Sequence, residues 1–225
     1  FWVMEIPVNL HQPFGPYILE SQCPQNLIDQ INWWCDEKES SEEYSSLTGN
    51  TPDLLKRNIE NLFFSYEFLY EIGFNSFIES VGNYYLEHCS YRTKFPMKET
   101  LRVPLLSNHP KFLKSNEIDY ADAWVNRYYS GDYTPIHSHA GELSAVILLK
   151  VVSNHSEDDK QRGKVVFVND GDDNKNNLYI PHDQENGTLI MFPSWLSHLT
   201  YPFKNECEER RTMSINLVTD TQFLL

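Results

Sequence analysis

The sequence predicts a mainly β fold with N-terminal helices, an α+β chain built on a double-stranded β-helix of the jelly-roll or cupin-like kind. Two patterns carry this expectation. Apolar residues before about residue 120 fall at helical spacing, and from Tyr120 onward they alternate at period 2. The second region then breaks into short runs at 121–129, 133–139, 143–152, 164–168, 178–180, 188–192, 197–203 and 211–218, separated by Gly-, Asn- and Asp-rich turns. Runs of that kind suit an antiparallel barrel. A chain of 225 residues, 40% hydrophobic and 14% aromatic, supplies one sizeable core. The expected organisation is a single domain over 1–225, with 1–119 a mixed helical support region and 120–218 the β-helix core.

Each segment has its own signal. Phe1 to Val8 alternates loosely and suits an edge strand. Pro24 opens a helix running to about Lys38, with Leu27, Ile28, Ile31 and Trp34 on one stripe. Asp36 to Asn50 is acidic and Ser-rich and reads as an exposed loop. Residues 51–92 read as helical, most clearly where Phe77, Ile78, Val81, Tyr84, Tyr85 and Leu86 repeat at helical spacing. Prolines at 96, 104 and 110 exclude a long helix between Met97 and Leu113. Within the period-2 region, 154–163 and 169–177 are polar hairpin loops.

Charge and cysteines narrow the function classes. A formal net charge of -14 disfavours nucleic-acid binding, because such a surface repels phosphate backbones. Cys23, Cys35, Cys89 and Cys207 lack paired spacing and read as free thiols of a reducing compartment. No apolar run is long enough to span a membrane, and FWVMEIPVNL lacks a basic leader region. A cytoplasmic location follows as an expectation. The sequon at Asn186 reads as a turn.

The candidate chemistry centres on Asn126 to Lys150. His137 and His139 stand two residues apart in an extended stretch, so both point the same way. His198 lies in a later strand-like stretch, after Gly187, an apolar run and Phe192-Pro193-Ser194. Arg211 follows in another strand. Two histidines at i and i+2, a distant third on a strand and a downstream arginine form the layout of a non-haem Fe(II) site with open positions for substrate and oxygen. Arg211 shares its face with Met213, Ile215 and Leu217, so it must bury its guanidinium or snorkel, and a buried guanidinium needs an anion. A dicarboxylate cosubstrate would supply one, and an ion pair with Glu208 or Glu209 is the alternative. Arg210 faces the other way. Asn126 and Tyr128 share a face one strand earlier, where an amide and a phenol can bind a carboxylate or keto group. His11, His88, His109, His155 and His182 stand alone.

Together these residues resemble a known family. The pattern N-x-Y-x-x-G, then His137-Ser138-His139, then Leu143-Ser144-Ala145-Val146, then Phe192-Pro193-Ser194-Trp195-Leu196-Ser197-His198 and an Arg about ten residues on is similar to the Fe(II)/2-oxoglutarate-dependent dioxygenases. Within them it most resembles the family described as putative 2-oxoglutarate–Fe(II) oxygenases, common in marine phages and bacteria. Prolyl-hydroxylase-like enzymes share the layout. The likeness covers about 120–218.

It implies Fe(II) on His137, His139 and His198, 2-oxoglutarate salt-bridged to Arg211 with Asn126 and Tyr128 nearby, and O2 as oxidant. The implied reaction is hydroxylation of a C–H bond of a small molecule or a peptide side chain, releasing succinate and CO2. The wider superfamily has Asp or Glu where this chain has His139, so Glu142 is the alternative third ligand. Two other readings remain: a cupin-type metal-dependent dioxygenase without 2-oxoglutarate, and a non-catalytic jelly-roll binding or structural protein. No nucleic-acid or membrane partner is expected, and a homodimer is one option for the oligomeric state.

Overall fold

The structure, a computed structural model, describes residues 7–13, 15–39, 60–89, 120–139, 141–152, 162–168, 178–181, 184–204 and 208–217. Most of the acidic 36–50 loop, the 97–113 segment, most of both polar hairpin loops and Cys207 lie outside these residues.

Two antiparallel sheets form the core. Its strands are β1 (Val8–His11), β2 (Ile18–Gln22), β3 (Glu60–Ser65), β4 (Tyr120–Tyr128), β5 (Thr134–His137), β6 (Leu143–Lys150), β7 (Val165–Val168), β8 (Leu178–Tyr179), β9 (Thr188–Pro193), β10 (His198–Thr200) and β11 (Arg210–Leu217). The seven-stranded sheet runs β1-β2-β9-β6-β11-β4-β3, and the four-stranded sheet runs β5-β10-β7-β8. Strands from opposite ends of the chain therefore alternate across each sheet, the wiring of a double-stranded β-helix. The helices are α1 (Gln25–Glu39), α2 (Tyr66–Glu71) and α3 (Phe74–Cys89).

The large sheet is buried on both faces, which is why β6, β9 and β11 read as nearly unbroken apolar or small residues. One face carries Leu19, Ile147, Met191, Met213 and Ile215 against Ile28, Ile31 and Trp34 of α1 and Phe77, Ile78 and Val81 of α3. The other face carries Ile18, Val146, Leu148, Ile190 and Phe192 against Val165 and Phe167 of the small sheet. At about 25 cal/mol per Å2 of apolar surface, such a two-sided core is the main source of stability.

α1 starts where expected, with the Pro24 carbonyl accepting from the amides of Leu27 and Ile28 at 3.0 and 3.2 Å. The predicted stripe is the buried one. Ser65 caps α2 by accepting from the Phe68 amide at 3.3 Å. Gly73, at φ +79°, makes the turn into α3. Asn186 lies in a turn, as its spacing suggested.

The region before residue 120 departs from expectation. It contributes β1, β2 and β3 to the large sheet. Residues 60–65, read as helix, pair in register with β4, Glu60 opposite Arg127 and Phe63 opposite Trp124. The run Leu62-Phe63-Phe64 is too short for its period to separate a buried strand from a helix. Strand β1 covers Val8–His11, later than the expected Phe1–Val8, and Phe1 to Ile6 lie outside the described residues.

Candidate active site

His137 closes β5 and His198 opens β10, and the two are direct partners across the small sheet. His139 follows in the connection to β6, its backbone amide donating to the Ser194 carbonyl at 2.9 Å. The strand geometry thus brings together all three histidines that the sequence singled out. Their ligand nitrogens lie within 4.8 Å of one another, the only such cluster of His, Cys, Asp and Glu among the described residues. Glu142 is not part of it.

The rings are held in one sense. His137 Nδ1 lies 2.9 Å from the Pro135 carbonyl, and His198 Nδ1 lies 3.0 Å from the Leu196 carbonyl. A carbonyl only accepts, so each Nδ1 carries the proton and each Nε2 presents a lone pair. The His139 ring is stacked beside Trp124 at 5.7 Å, and the Asn216 side chain is close enough to favour its protonated form. His139 Nε2 and His198 Nε2 stand 3.1 Å apart.

Two ligands at right angles on metal–nitrogen bonds of about 2.1 Å stand about 3.0 Å apart. Three imidazole nitrogens converging at such distances fit a divalent metal, and without one a proton on His139 Nε2 can make the same contact to the His198 Nε2 lone pair. Burial lowers the pKa of all three. For His139, burial and then the neighbouring His137 take it down to about 3. For His198, burial and then the other two rings push it well below the usual value. For His137, burial outweighs its hydrogen bonds. The cluster is therefore neutral at physiological pH, the form that binds a metal.

The arginine expectation is reversed by the fold. Arg211 does share its face with Met213, Ile215 and Leu217, but that face looks at α1, away from the histidines. Its guanidinium, 0% exposed, donates to Glu209 at 2.7 and 2.9 Å, to Asp36 at 2.6 Å and to Asn32 Oδ1 at 3.1 Å. Arg127 and Lys150 also contact Glu209, at 2.7 and 3.4 Å. Burial alone would raise the Glu209 pKa, but the Arg211 and Arg127 hydrogen bonds hold it at about 2. The anion that Arg211 needs belongs to the protein, and this ion-pair cluster fastens α1 to the sheet.

Arg210 is the arginine that faces between the sheets. It is 1% exposed, and its Nη1 and Nη2 have no hydrogen-bond partner. Its guanidinium lies 4.8 Å from the ring centre of Tyr128, the residue opposite it on β4. It lines a cleft with Lys164, Arg162 and Gln184. Tyr128 keeps its predicted place, its hydroxyl 2.7 Å from Thr134 Oγ1. Asn126 is on the same face, but its amide braces the interior. It accepts from Trp124 Nε1 at 3.1 Å and donates to Ser214 Oγ at 2.9 Å.

The sequence reading set Arg210 aside because it placed the apolar side of β11 inward. The polar stripe Arg210, Thr212, Ser214, Asn216 is the one that faces the site, and its alternation was the available signal. His11 and His88 lie outside the cluster; His109, His155 and His182 fall outside the described residues.

Comparison with known proteins agrees with this architecture. Residues 122–216 match the family model described as Putative 2OG-Fe(II) oxygenase. No curated protein matches the chain in sequence. Among solved structures, a prolyl-4-hydroxylase of Pseudomonas putida aligns over 95% of this chain and 93% of its own, at 12% identity and TM-score 0.54. A prolyl hydroxylase of Trichoplax adhaerens, solved with a hypoxia-inducible-factor peptide fragment, aligns over 88% and 79%, at 12% identity and TM-score 0.50. SnoN, a non-haem α-ketoglutarate-dependent epimerase from nogalamycin biosynthesis, aligns over 87% and 76%, at 12% identity and TM-score 0.52. At such identity the structures share the fold with this chain. Through residues 122–216 the chain is thus similar to the 2OG-Fe(II) oxygenases, with their fold and with three histidines placed where they could hold a metal ion.

Proposed function

We propose that His137, His139 and His198 hold the Fe(II), that Arg210 with Tyr128 holds the far carboxylate of 2-oxoglutarate, and that the enzyme hydroxylates a C–H bond of a peptide or small molecule. The observation that carries the reading is the pairing of two unmet needs on one barrel interior. Three buried imidazoles converge, their ligand nitrogens within 4.8 Å of one another, and a buried guanidinium has two nitrogens without a hydrogen-bond partner. A metal chelated by an α-keto dicarboxylate answers both.

When bound, Fe(II) with 2-oxoglutarate and O2 supplies the oxidising chemistry, releasing succinate and CO2. The protein's own contribution is positional. The Pro135 and Leu196 carbonyls keep His137 and His198 in the tautomer that presents Nε2. Arg210 offers a planar two-point donor to a carboxylate, which fixes both the distance and the orientation of the cosubstrate chain. Tyr128, held by Thr134, backs that guanidinium with its ring. Val146, Leu148, Phe167 and Phe192 wall the interior and exclude water.

The histidines bring no negative charge, so the two carboxylates of 2-oxoglutarate are balanced by the metal and by Arg210. A cupin dioxygenase without 2-oxoglutarate would have no use for an unpaired buried arginine. For the substrate, the structural neighbours include an enzyme seen with a peptide and one from nogalamycin biosynthesis, which supports either class. We read the first 119 residues as part of the same domain, since β1, β2 and β3 complete the large sheet.

The test is succinate formation. Purified protein with Fe(II), 2-oxoglutarate and O2 is expected to release succinate at a low rate without substrate, and faster with peptide or metabolite pools that contain one. No succinate above the metal-free control would count against the proposal.

A further inference from the structure

The third histidine is built into a polar network that the iron site alone does not require. Ser144 is 1% exposed, Ser194 0% and Asn216 5%. Ser144 Oγ donates to Asn216 Oδ1 at 3.0 Å and lies 2.9 Å from Ser194 Oγ. The Ser194 carbonyl accepts the His139 backbone amide at 2.9 Å, and the Asn216 side chain comes close enough to the His139 ring to favour a proton on it. The circuit closes on itself: His139 backbone, Ser194, Ser144, Asn216, His139 ring. Four elements meet in it: the connection after β5, β6, the turn after β9, and β11.

Burying an amide and two hydroxyls costs free energy unless each is satisfied, and such groups could have been apolar at no loss to the core. His137 and His198 take their orienting partners from carbonyls two residues before them in the chain. His139 lies beyond the end of β5, and its orienting group comes from β11.

We propose that Asn216, set by Ser144 and Ser194, is the positioning residue that orients the His139 imidazole as a metal ligand in the place where related enzymes carry a carboxylate. The inference rests on the three-histidine reading. The amide oxygen, already fixed by the Ser144 hydroxyl, accepts the Nδ1 proton of His139, and Nε2 is left to the metal. This gives all three rings the same tautomer. A carboxylate ligand would need no such device, because both its oxygens are acceptors. The two serines of the Leu-Ser-Ala-Val and Phe-Pro-Ser motifs thereby acquire a task in common.

The test uses the full chain with Co2+ as probe, whose visible absorption reports the number and kind of ligands, and thermal melting as the check on folding. Asn216→Leu removes the acceptor at similar volume and is expected to weaken Co2+ binding by about 10- to 100-fold, the usual effect of losing such a partner. Asn216→Asp keeps an acceptor in place and is expected to bind within a few-fold of wild type, with the same spectrum. Ser144→Ala frees the amide to rotate and is expected to give a smaller loss; it replaces Asn216→Leu should that variant fail to fold.

His139→Ala separates the two levels of the argument. Loss of affinity in His139→Ala together with wild-type affinity in Asn216→Leu and Ser144→Ala overturns the positioning role and leaves the three-histidine site standing. Wild-type Co2+ affinity and spectrum in His139→Ala overturn the third ligand itself, and the inference with it.

Discussion

Arg210 and Arg211 are neighbours in sequence with opposite tasks, and exchanging each for Met should separate those tasks cleanly. Arg210 has two guanidinium nitrogens without partners and faces the histidine side of the barrel. Two charge-assisted hydrogen bonds to a carboxylate at about 1.5–3 kcal/mol each amount to about 3–6 kcal/mol. At about 1.4 kcal/mol per factor of ten, Arg210→Met should weaken 2-oxoglutarate by about 100-fold or more. The same substitution removes an uncompensated buried cation, so the apo protein should be as stable as wild type or more so.

Arg211→Met breaks a buried ion-pair cluster. The loss of one partner from such a cluster costs about 3–5 kcal/mol when the survivor is stranded. Here Glu209 retains Arg127 and Lys150, and Asp36 is 54% exposed. A loss below that range, about 2–3 kcal/mol, is therefore expected. Its 2-oxoglutarate affinity should be close to wild type. Anaerobic calorimetry with Fe(II) present gives the affinities, and urea unfolding of the apo proteins gives the stabilities. The reverse outcome, with cosubstrate binding lost in Arg211→Met and kept in Arg210→Met, would refute the assignment of the two faces of β11.

Further outcomes are expected. The buried histidines have lowered pKa values in the fold and about 6.5 unfolded, so the unfolded chain binds more protons as pH falls. Apo stability should be at its full value above pH 6.5 and decline below it, by up to about 1.4 kcal/mol per pH unit for each histidine. His139 should contribute down to its folded value of about 3. Urea unfolding at pH 7.5, 6 and 5 reads this slope, and His198→Ala should reduce it; a flat profile would mean that the rings are solvated. His137→Ala and His198→Ala should each lose bound iron by elemental analysis while keeping the wild-type circular dichroism spectrum. Gly187 sits at φ +86°, and a Cβ there would run into Gln22 Nε2. Gly187→Ala should cost about 1–2 kcal/mol, from the left-handed backbone and the displaced Gln22, and so lower Tm by about 2–8 °C.

How much of this was legible follows from the physics of each element. The histidines could be read because a period of 2 puts His137 and His139 together, and a strand must bring His198 to them. The α1 helix could be read because its stripe has one face to bury. Strand β3 could not, because Leu62-Phe63-Phe64 offers no period. Strand β1, four residues at the sheet edge, and strand β2, five residues beside it, are too short to leave much pattern. The surroundings of Arg210 and Arg211 were hidden for a more general reason. Both faces of β11 are buried, one against helices and one against a reacting centre, and in that case the apolar face is the structural one. Asn216 and the two serines lay in plain view in the motifs, but their meeting depends on β6, β9 and β11 being adjacent in the sheet, which sequence alone did not supply.

The central claim is that three histidines and Arg210 jointly create a site for Fe(II) and 2-oxoglutarate. Anaerobic titration of the Fe(II)-loaded protein with 2-oxoglutarate, followed by visible absorption, tests it most directly, because an α-keto acid chelated to Fe(II) gives a charge-transfer band that neither shows alone. The expected result is a band that saturates at one equivalent in wild type, needs much more 2-oxoglutarate in Arg210→Met, and is missing in His198→Ala. A wild-type protein that binds Fe(II) and shows no band, or a band of equal strength in His198→Ala, would contradict it.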